Sequence, residues 1–204
     1  VKSNSIILAS AFAGLLLAVT AYTIIKTDTA QPPQELSAGT QLGGPFTLHS
    51  ANGPVSLNNF DNKLILIFFG FTSCPDICPA SLMTTAASLK RLEPEQRARI
   101  QPLFITVDPE RDTADYLAEY VSFFDEQFLG LTGTLEEIEI ITRQYGAFFR
   151  KVVLDSALEY TMDHSAQTYL VNSRGEVLAL VHHSNDPEPL ANTLISLLNS
   201  SRLQ

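Results

Sequence analysis

Leu64-Ile65-Leu66-Ile67-Phe68-Phe69-Gly70-Phe71-Thr72-Ser73-Cys74-Pro75-Asp76-Ile77-Cys78-Pro79 is the stretch on which the reading of this chain turns. The unbroken apolar run 64–69 predicts a strand buried on both faces. It delivers the chain's only two cysteines, Cys74 and Cys78, onto a turn leading into a helix. Proline is tolerated at the first helical position, where its missing N–H would be unpaired anyway, so Pro79 is expected there and Cys78 at the N-cap. A sulfur at the N-cap lies beside unpaired N–H groups and the positive end of the helix dipole, which favours its thiolate. Cys74, one turn earlier, can face the same way. Such a pair can close a disulfide or clamp one soft metal ion, and the two sulfurs alone leave that choice open.

A purely structural disulfide here is poor value, because closing so short a loop restricts the unfolded chain little. The turn also lies at the C-terminal edge of a buried strand, where open α/β folds place ligand sites. Two cysteines inside one motif are no disulfide framework, so the rest of the fold holds without cross-links. A net charge of −9 and a pI near 4.8 argue against nucleic-acid binding, which shows a basic footprint.

Residues 5–25 carry no charge and are mostly Ile, Leu, Ala, Val and Phe. As a helix they would be about 31 Å long, matching a hydrocarbon core of roughly 30 Å, and they read as a transmembrane span. The competing reading is a cleaved secretory signal. Against it, the run exceeds the roughly 7–15 residues of a signal's apolar region, and Asp28-Thr29-Ala30 makes a poor cleavage site. Lys2 and Lys26 flank the run on opposite sides, so positive charge barely orients it. The polar stretch that follows, with Pro32-Pro33 and Gly39, suits an extended tether. The expected organisation is an anchor over 1–26, a tether over 27–41 and one domain over 42–204.

Within that domain, 46–48 and 55–57 around Asn52-Gly53 predict a hairpin. Leu82, Ala86 and Leu89 mark a helix over 80–92 that ends at Glu93-Pro94. A second buried strand covers 103–107 and runs into Asp108-Pro109-Glu110-Arg111-Asp112-Thr113, where Asp112 is expected to cap a helix over 113–124 and Arg111 to pair with Asp108 or Glu110. A weak strand at 128–131 precedes a helix with Thr134 as N-cap and Glu137 as its capping-box partner, ending near Gly146. A strand over 148–154, a hairpin of 166–171 with 177–181 around Asn172-Ser173-Arg174-Gly175, and a last helix from Pro187 through Leu198 complete the domain. The class is α/β: a mixed sheet flanked by helices.

The histidines discriminate between redox chemistry and metal ligation. His182 and His183, adjacent on an expected strand, point to opposite faces, and His49 in the first hairpin reads as a surface residue. His164 differs, lying in 160–165, Tyr-Thr-Met-Asp-His-Ser, read as a polar loop feeding a core strand, where Asp163 is placed to orient it by hydrogen bonding. Met83 offers a soft sulfur but reads as a core residue. Two thiolates and an imidazole suit copper, thiolate being soft enough for Cu(I) and imidazole helping to hold Cu(II). Zinc wants a fourth ligand, and none is evident.

Phe-Gly-Phe-Thr-Ser-Cys-Pro-Asp-Ile-Cys-Pro at 69–79, Val-Asp-Pro-Glu-Arg-Asp-Thr at 107–113 and Asp-His-Ser at 163–165, in that order, resemble the Sco/SenC family. The resemblance implies a membrane-tethered, thioredoxin-like protein that binds copper and assists assembly of the binuclear copper centre of cytochrome c oxidase. It implies Cys74, Cys78 and His164 as copper ligands; Asp163 beside the histidine, and Asp108 with Arg111 near the site, are expected to surround them from their own chemistry. It also implies a single-pass location in the inner membrane with the domain on the periplasmic or outer face. The expected partners are a copper-accepting oxidase subunit, a copper donor and a thiol reductant. The alternative activity is thiol-disulfide exchange at Cys74 and Cys78 that reduces the cysteines of the acceptor. A third ligand such as His164 favours copper, since dithiol exchange has no need of it.

Overall fold

The computed structural model describes residues 42–155, 159–200 and 203. The span expected at 5–25 and the tether at 27–41 lie outside them, and among the described residues no helix is long and apolar enough to cross a membrane.

A hairpin of β1 (Thr47–Ser50) and β2 (Gly53–Ser56) comes first, then a 3₁₀ turn over Leu57–Phe60 and the buried strand β3 (Leu64–Gly70). Helices α1 (Ile77–Leu89) and α2 (Pro94–Ala98) lead to β4 (Ile100–Thr106), α3 (Ala114–Ser122), β5 (Leu129–Leu131) and α4 (Leu135–Gln144). The chain then forms β6 (Phe149–Val153), β7 (Tyr160–His164), β8 (Thr168–Val171), β9 (Val177–Val181) and α5 (Glu188–Leu198). A five-stranded sheet runs in the order β5-β4-β3-β8-β9, with β3, β4 and β5 parallel and β8 and β9 antiparallel to their neighbours. β6 and β7 form a separate two-stranded ribbon.

Every residue of β3 is buried, as its unbroken apolar run requires. Leu64 and Leu66 pack with Leu89 of α1 and with Leu190, Ala191 and Leu194 of α5. Ile65, Ile67 and Phe69 belong to a second core that gathers Leu117, Ile138, Tyr145 and Tyr169. Burial on both faces fixes the strand at the centre, so its C-terminal end presents the cysteine turn at one edge of a rigid platform.

Several expectations are corrected. The first helix begins at Ile77 with Asp76 before it, so Cys78 lies inside the helix and is not its N-cap. Pro79 is still tolerated, because the first N–H of a helix with an acceptor one turn back is that of Ala80, which reaches Asp76 O at 3.1 Å. The cap of α3 is Thr113, whose side chain accepts from Tyr116 N, while Asp112 is fully buried and pairs elsewhere. Met83 is 58% exposed and no part of the core. His164 ends strand β7, where a loop was expected, and His182 and His183 lie just beyond β9. The capping box of Thr134 and Glu137 is present as read.

Candidate metal centre

Gly70 closes β3, and the chain turns through Phe71-Thr72-Ser73 to Cys74, whose N–H donates to Phe71 O at 3.3 Å. The next turn enters α1 and drives Cys78 against the strand end. A Cβ on Gly70 would lie 2.9 Å from Cys78 Sγ and 2.7 Å from Phe104 Cε2, so only glycine permits this approach. Cys78 N–H points at Cys74 Sγ, 3.4 Å away. Neither cysteine is in a disulfide, and Cys78 is wholly buried while Cys74 is partly exposed.

The third side chain arrives from the β6–β7 ribbon. Alternation along β7 turns Tyr160, Met162 and His164 to one face and Thr161 and Asp163 to the other. His164 Nε2 lies 3.5 Å from Cys78 Sγ, and its Nδ1 lies 3.0 Å from the Ser165 carbonyl. A carbonyl only accepts, so in the neutral ring Nδ1 carries the proton and the Nε2 lone pair faces the sulfurs. Phe68 and Phe71 meet the imidazole edge-on, with centroids 6.1 and 5.7 Å away, and wall the ring in.

The two sulfurs differ in charge. Hydrogen bonding to the Cys78 side chain, helped by His164 and then by the backbone N–H groups of Cys78 and Asp76, outweighs burial and pulls the Cys74 thiol down to about 3. The same interaction, together with burial and the charge on Cys74, pushes Cys78 up. The expected order is therefore reversed: the accessible Cys74 is the thiolate and the helical Cys78 keeps its proton. Nearness to the helix start does not compensate for the loss of water around Cys78.

The sulfurs and an imidazole nitrogen lie within 4.8 Å of one another. Ligand atoms bonded at about 2.0–2.3 Å to one soft ion fit within such a span. Among the described residues no carboxylate joins this cluster, and two soft sulfurs with one imidazole fit copper better than a hard cation. Cys74, Cys78 and His164 are thus brought together. His49 lies on β1, exposed, and His183 Nδ1 is engaged by Ser81 Oγ at 2.8 Å. Asp163 does not reach the imidazole. It faces Arg150 at 3.0 Å, and the Ser165 carbonyl takes the orienting part expected of it. Arg111 pairs with Asp108 and lays its guanidinium 3.7 Å above the Tyr160 ring. Sequence reasoning misses Phe68, Phe71 and Tyr160 at this site. The period-two spacing of Tyr160, Met162 and His164 is the signal that places Tyr160 on the same face as the histidine.

The profile of the SCO1/SenC family matches residues 34–199. "Protein SCO2, mitochondrial" of Saccharomyces cerevisiae is 34% identical over 169 residues, which is 81% of this chain and 56% of that protein. Yeast Sco1, solved with copper bound, is 34% identical with a TM-score of 0.71, over 79% of this chain and 90% of that one. BsSco, described with a disulfide switch as a member of the Sco family of cytochrome c oxidase assembly proteins, is 25% identical with a TM-score of 0.60, over 81% and 99%. The chain spans about half the length of several curated relatives it matches, 56%, 57% and 50% of three of them. Its architecture is the mixed α/β, thioredoxin-like one of these proteins.

Proposed function

The chain belongs to the SCO1/SenC family, and from that membership we propose that it carries copper through Cys74, Cys78 and His164 and hands it to a copper-accepting subunit during assembly of cytochrome c oxidase. The observation that carries the reading is the convergence of two sulfurs and one imidazole, from two separate segments, within 4.8 Å. Copper is cargo here, so the site must both hold and release it. A half-exposed Cys74 offers an incoming thiolate a route to the ion, while buried Cys78 keeps the ion seated until exchange is under way. The remaining reading places the domain on the outer face of the inner membrane, held by residues 5–25, with a separate copper donor and a thiol reductant as further partners.

A second reading has its own support. Cys74 is an accessible thiolate beside a second thiol, which is the arrangement of a dithiol that attacks disulfides. In that role the pair would reduce the acceptor's cysteines so that they can take copper. The two roles exclude one another at any instant, because a Cys74–Cys78 disulfide offers no thiolate to copper.

Anaerobic loading of the reduced full chain separates them. A single copper ion per chain is expected, with an intense sulfur-to-Cu(II) charge-transfer band that is lost in Cys74→Ala and in Cys78→Ala. His164→Ala is expected to weaken Cu(II) more than Cu(I), because Cu(I) is held by the two soft thiolates alone. The pre-oxidised chain is expected to bind none at this site. An unchanged spectrum in His164→Ala, with rapid exchange between the disulfide form and thiols, would replace the chaperone by the oxidoreductase.

A further inference from the structure

We propose that the turn 108–113 is a bracket that sets the position of the two ligand-bearing segments relative to one another, although none of its side chains belongs to the ligand set. The proposal rests on the copper-carrying reading for its consequence and on the structure for its geometry. The ligands come from parts of the fold that share no strand pairing. The cysteines follow β3 in the central sheet, and His164 ends a ribbon that no described strand of that sheet pairs with. The short link 165–167 joins His164 to β8, whose Thr168 pairs with Phe68 of β3, so the C-terminal end of β7 is tethered to the sheet, while the rest of the ribbon is placed by side-chain contacts.

The turn itself is closed. Arg111 N and Asp112 N both donate to Asp108 O, at 3.1 and 3.0 Å, and Val107 N donates to Gly70 O at 2.8 Å, which ties its start to the end of β3. From this turn one set of side chains grips the ribbon. Tyr160 Oη donates to Asp108 Oδ1 at 2.9 Å, and Arg111 Nη1 donates to Tyr160 O at 3.2 Å. The Tyr160 ring has the Arg111 guanidinium 3.7 Å and the Lys151 ammonium 3.8 Å from its centroid, and Lys151 is in turn paired with Glu110 at 2.6 Å. Tyr160 lies on the same face of β7 as His164, so holding one holds the approach of the other.

The other side of the turn grips the cysteine loop. Buried Asp112 accepts from Thr72 N at 3.1 Å, from Thr72 Oγ1 at 2.5 Å and from Thr106 Oγ1 at 2.6 Å. Thr72 is two residues before Cys74, and a carboxylate bonded through three donors in a dry site fixes that loop firmly. One short turn thus contacts both halves of the site, and through them it bears on how closely His164 approaches Cys78.

The test separates the halves. In the intact chain, Tyr160→Leu removes the ribbon grip and Thr72→Val removes a side-chain bond from the cysteine loop. Outer contacts to metal sites are worth about 10–100-fold in affinity. Tyr160→Leu is expected to lower Cu(II) affinity by about tenfold, to move the Cu(II) paramagnetic-resonance spectrum toward that of His164→Ala, and to spare Cu(I). Thr72→Val is expected to lower Cu(I) and Cu(II) together. Tyr160→Phe keeps the ring between its two cations and is expected to restore most of the Cu(II) spectrum, an outcome that a general loss of folding would not give. A metal-free reading stands beside these: the His164 imidazole resonance of the reduced protein, assigned with His164→Ala, is expected to shift and broaden in Tyr160→Leu and to return toward wild type in Tyr160→Phe. An unmoved imidazole resonance in Tyr160→Leu overturns the bracket whether or not copper binds. Failure of the wild type to take copper, with the resonance moving as described, overturns the carrier reading and leaves the bracket standing.

Discussion

At the scale of single residues, the site depends on one atom that is missing. Gly70 has no Cβ, and this lets Cys78 pack against the end of β3 beside Phe104. An alanine there must push aside Phe104, which is fully buried, and Cys78 Sγ, each nearer than 3.0 Å. Gly70→Ala is expected to cost about 1–3 kcal/mol, as overpacking of a filled core does. The measurement is urea unfolding of the reduced protein, and a midpoint equal to that of wild type would show that the strand end yields freely. The contrast between the cysteines belongs to the same scale. Cys74 and Cys78 are alike in sequence, but one keeps contact with water and gathers hydrogen-bond donors, while the other, beside its neighbour's thiolate and shut off from water, holds its proton more tightly.

At the scale of elements, helix ends and strand faces do the positioning. Helix α4 starts with a reciprocal pair: Thr134 Oγ1 accepts from Glu137 N at 3.2 Å, and Thr134 N donates to Glu137 Oε2 at 2.7 Å. Thr134→Ala is expected to cost about 1 kcal/mol at neutral pH. The bonds from Thr134 hold the Glu137 carboxyl below its usual range. A carboxyl lowered on folding contributes stability above its unfolded value of about 4.3 and loses that contribution as pH falls through the lower folded value. Thr134→Ala keeps the backbone N–H, the larger of the two causes, so it is the gap between wild type and Glu137→Gln that is expected to narrow in acid. Thermal unfolding at neutral pH and again below about pH 4 checks this, and a gap that stays constant would deny the capping box its charge. The 107–113 motif shows how easily an element-scale reading misassigns a residue. Asp112 stands where a cap belongs by one position, yet Thr113 caps α3 and Asp112 turns inward to Thr72 and Thr106.

At the scale of the whole molecule, we propose that the chain is anchored in a membrane through the uncharged run 5–25. It is expected to stay with membranes through an alkaline carbonate wash, and its release by the wash would remove the anchor from the account. Much else of the molecule was legible in the amino-acid order, because it is local. The apolar run of β3 states its own burial, the Asn172-to-Gly175 turn states its hairpin, and Thr134 with Glu137 states a helix start. The two cysteines were legible because thiols are scarce in this chain, while His164 became a candidate ligand through the resemblance its Asp-His-Ser motif carries. What only the tertiary structure decided is which cysteine keeps its proton, that His164 rides on a strand, and that the Ser165 carbonyl, not Asp163, faces its ring. Those outcomes depend on groups far apart in the chain: Thr72 and Asp112 are 40 residues apart, Arg111 and Tyr160 are 49, and Cys78 and His164 are 86. Local propensity carries no information about such pairs. They are settled when the ribbon, the turn and the end of β3 bury their surfaces together, because desolvation and hydrogen-bond geometry exist only once all the partners are in place.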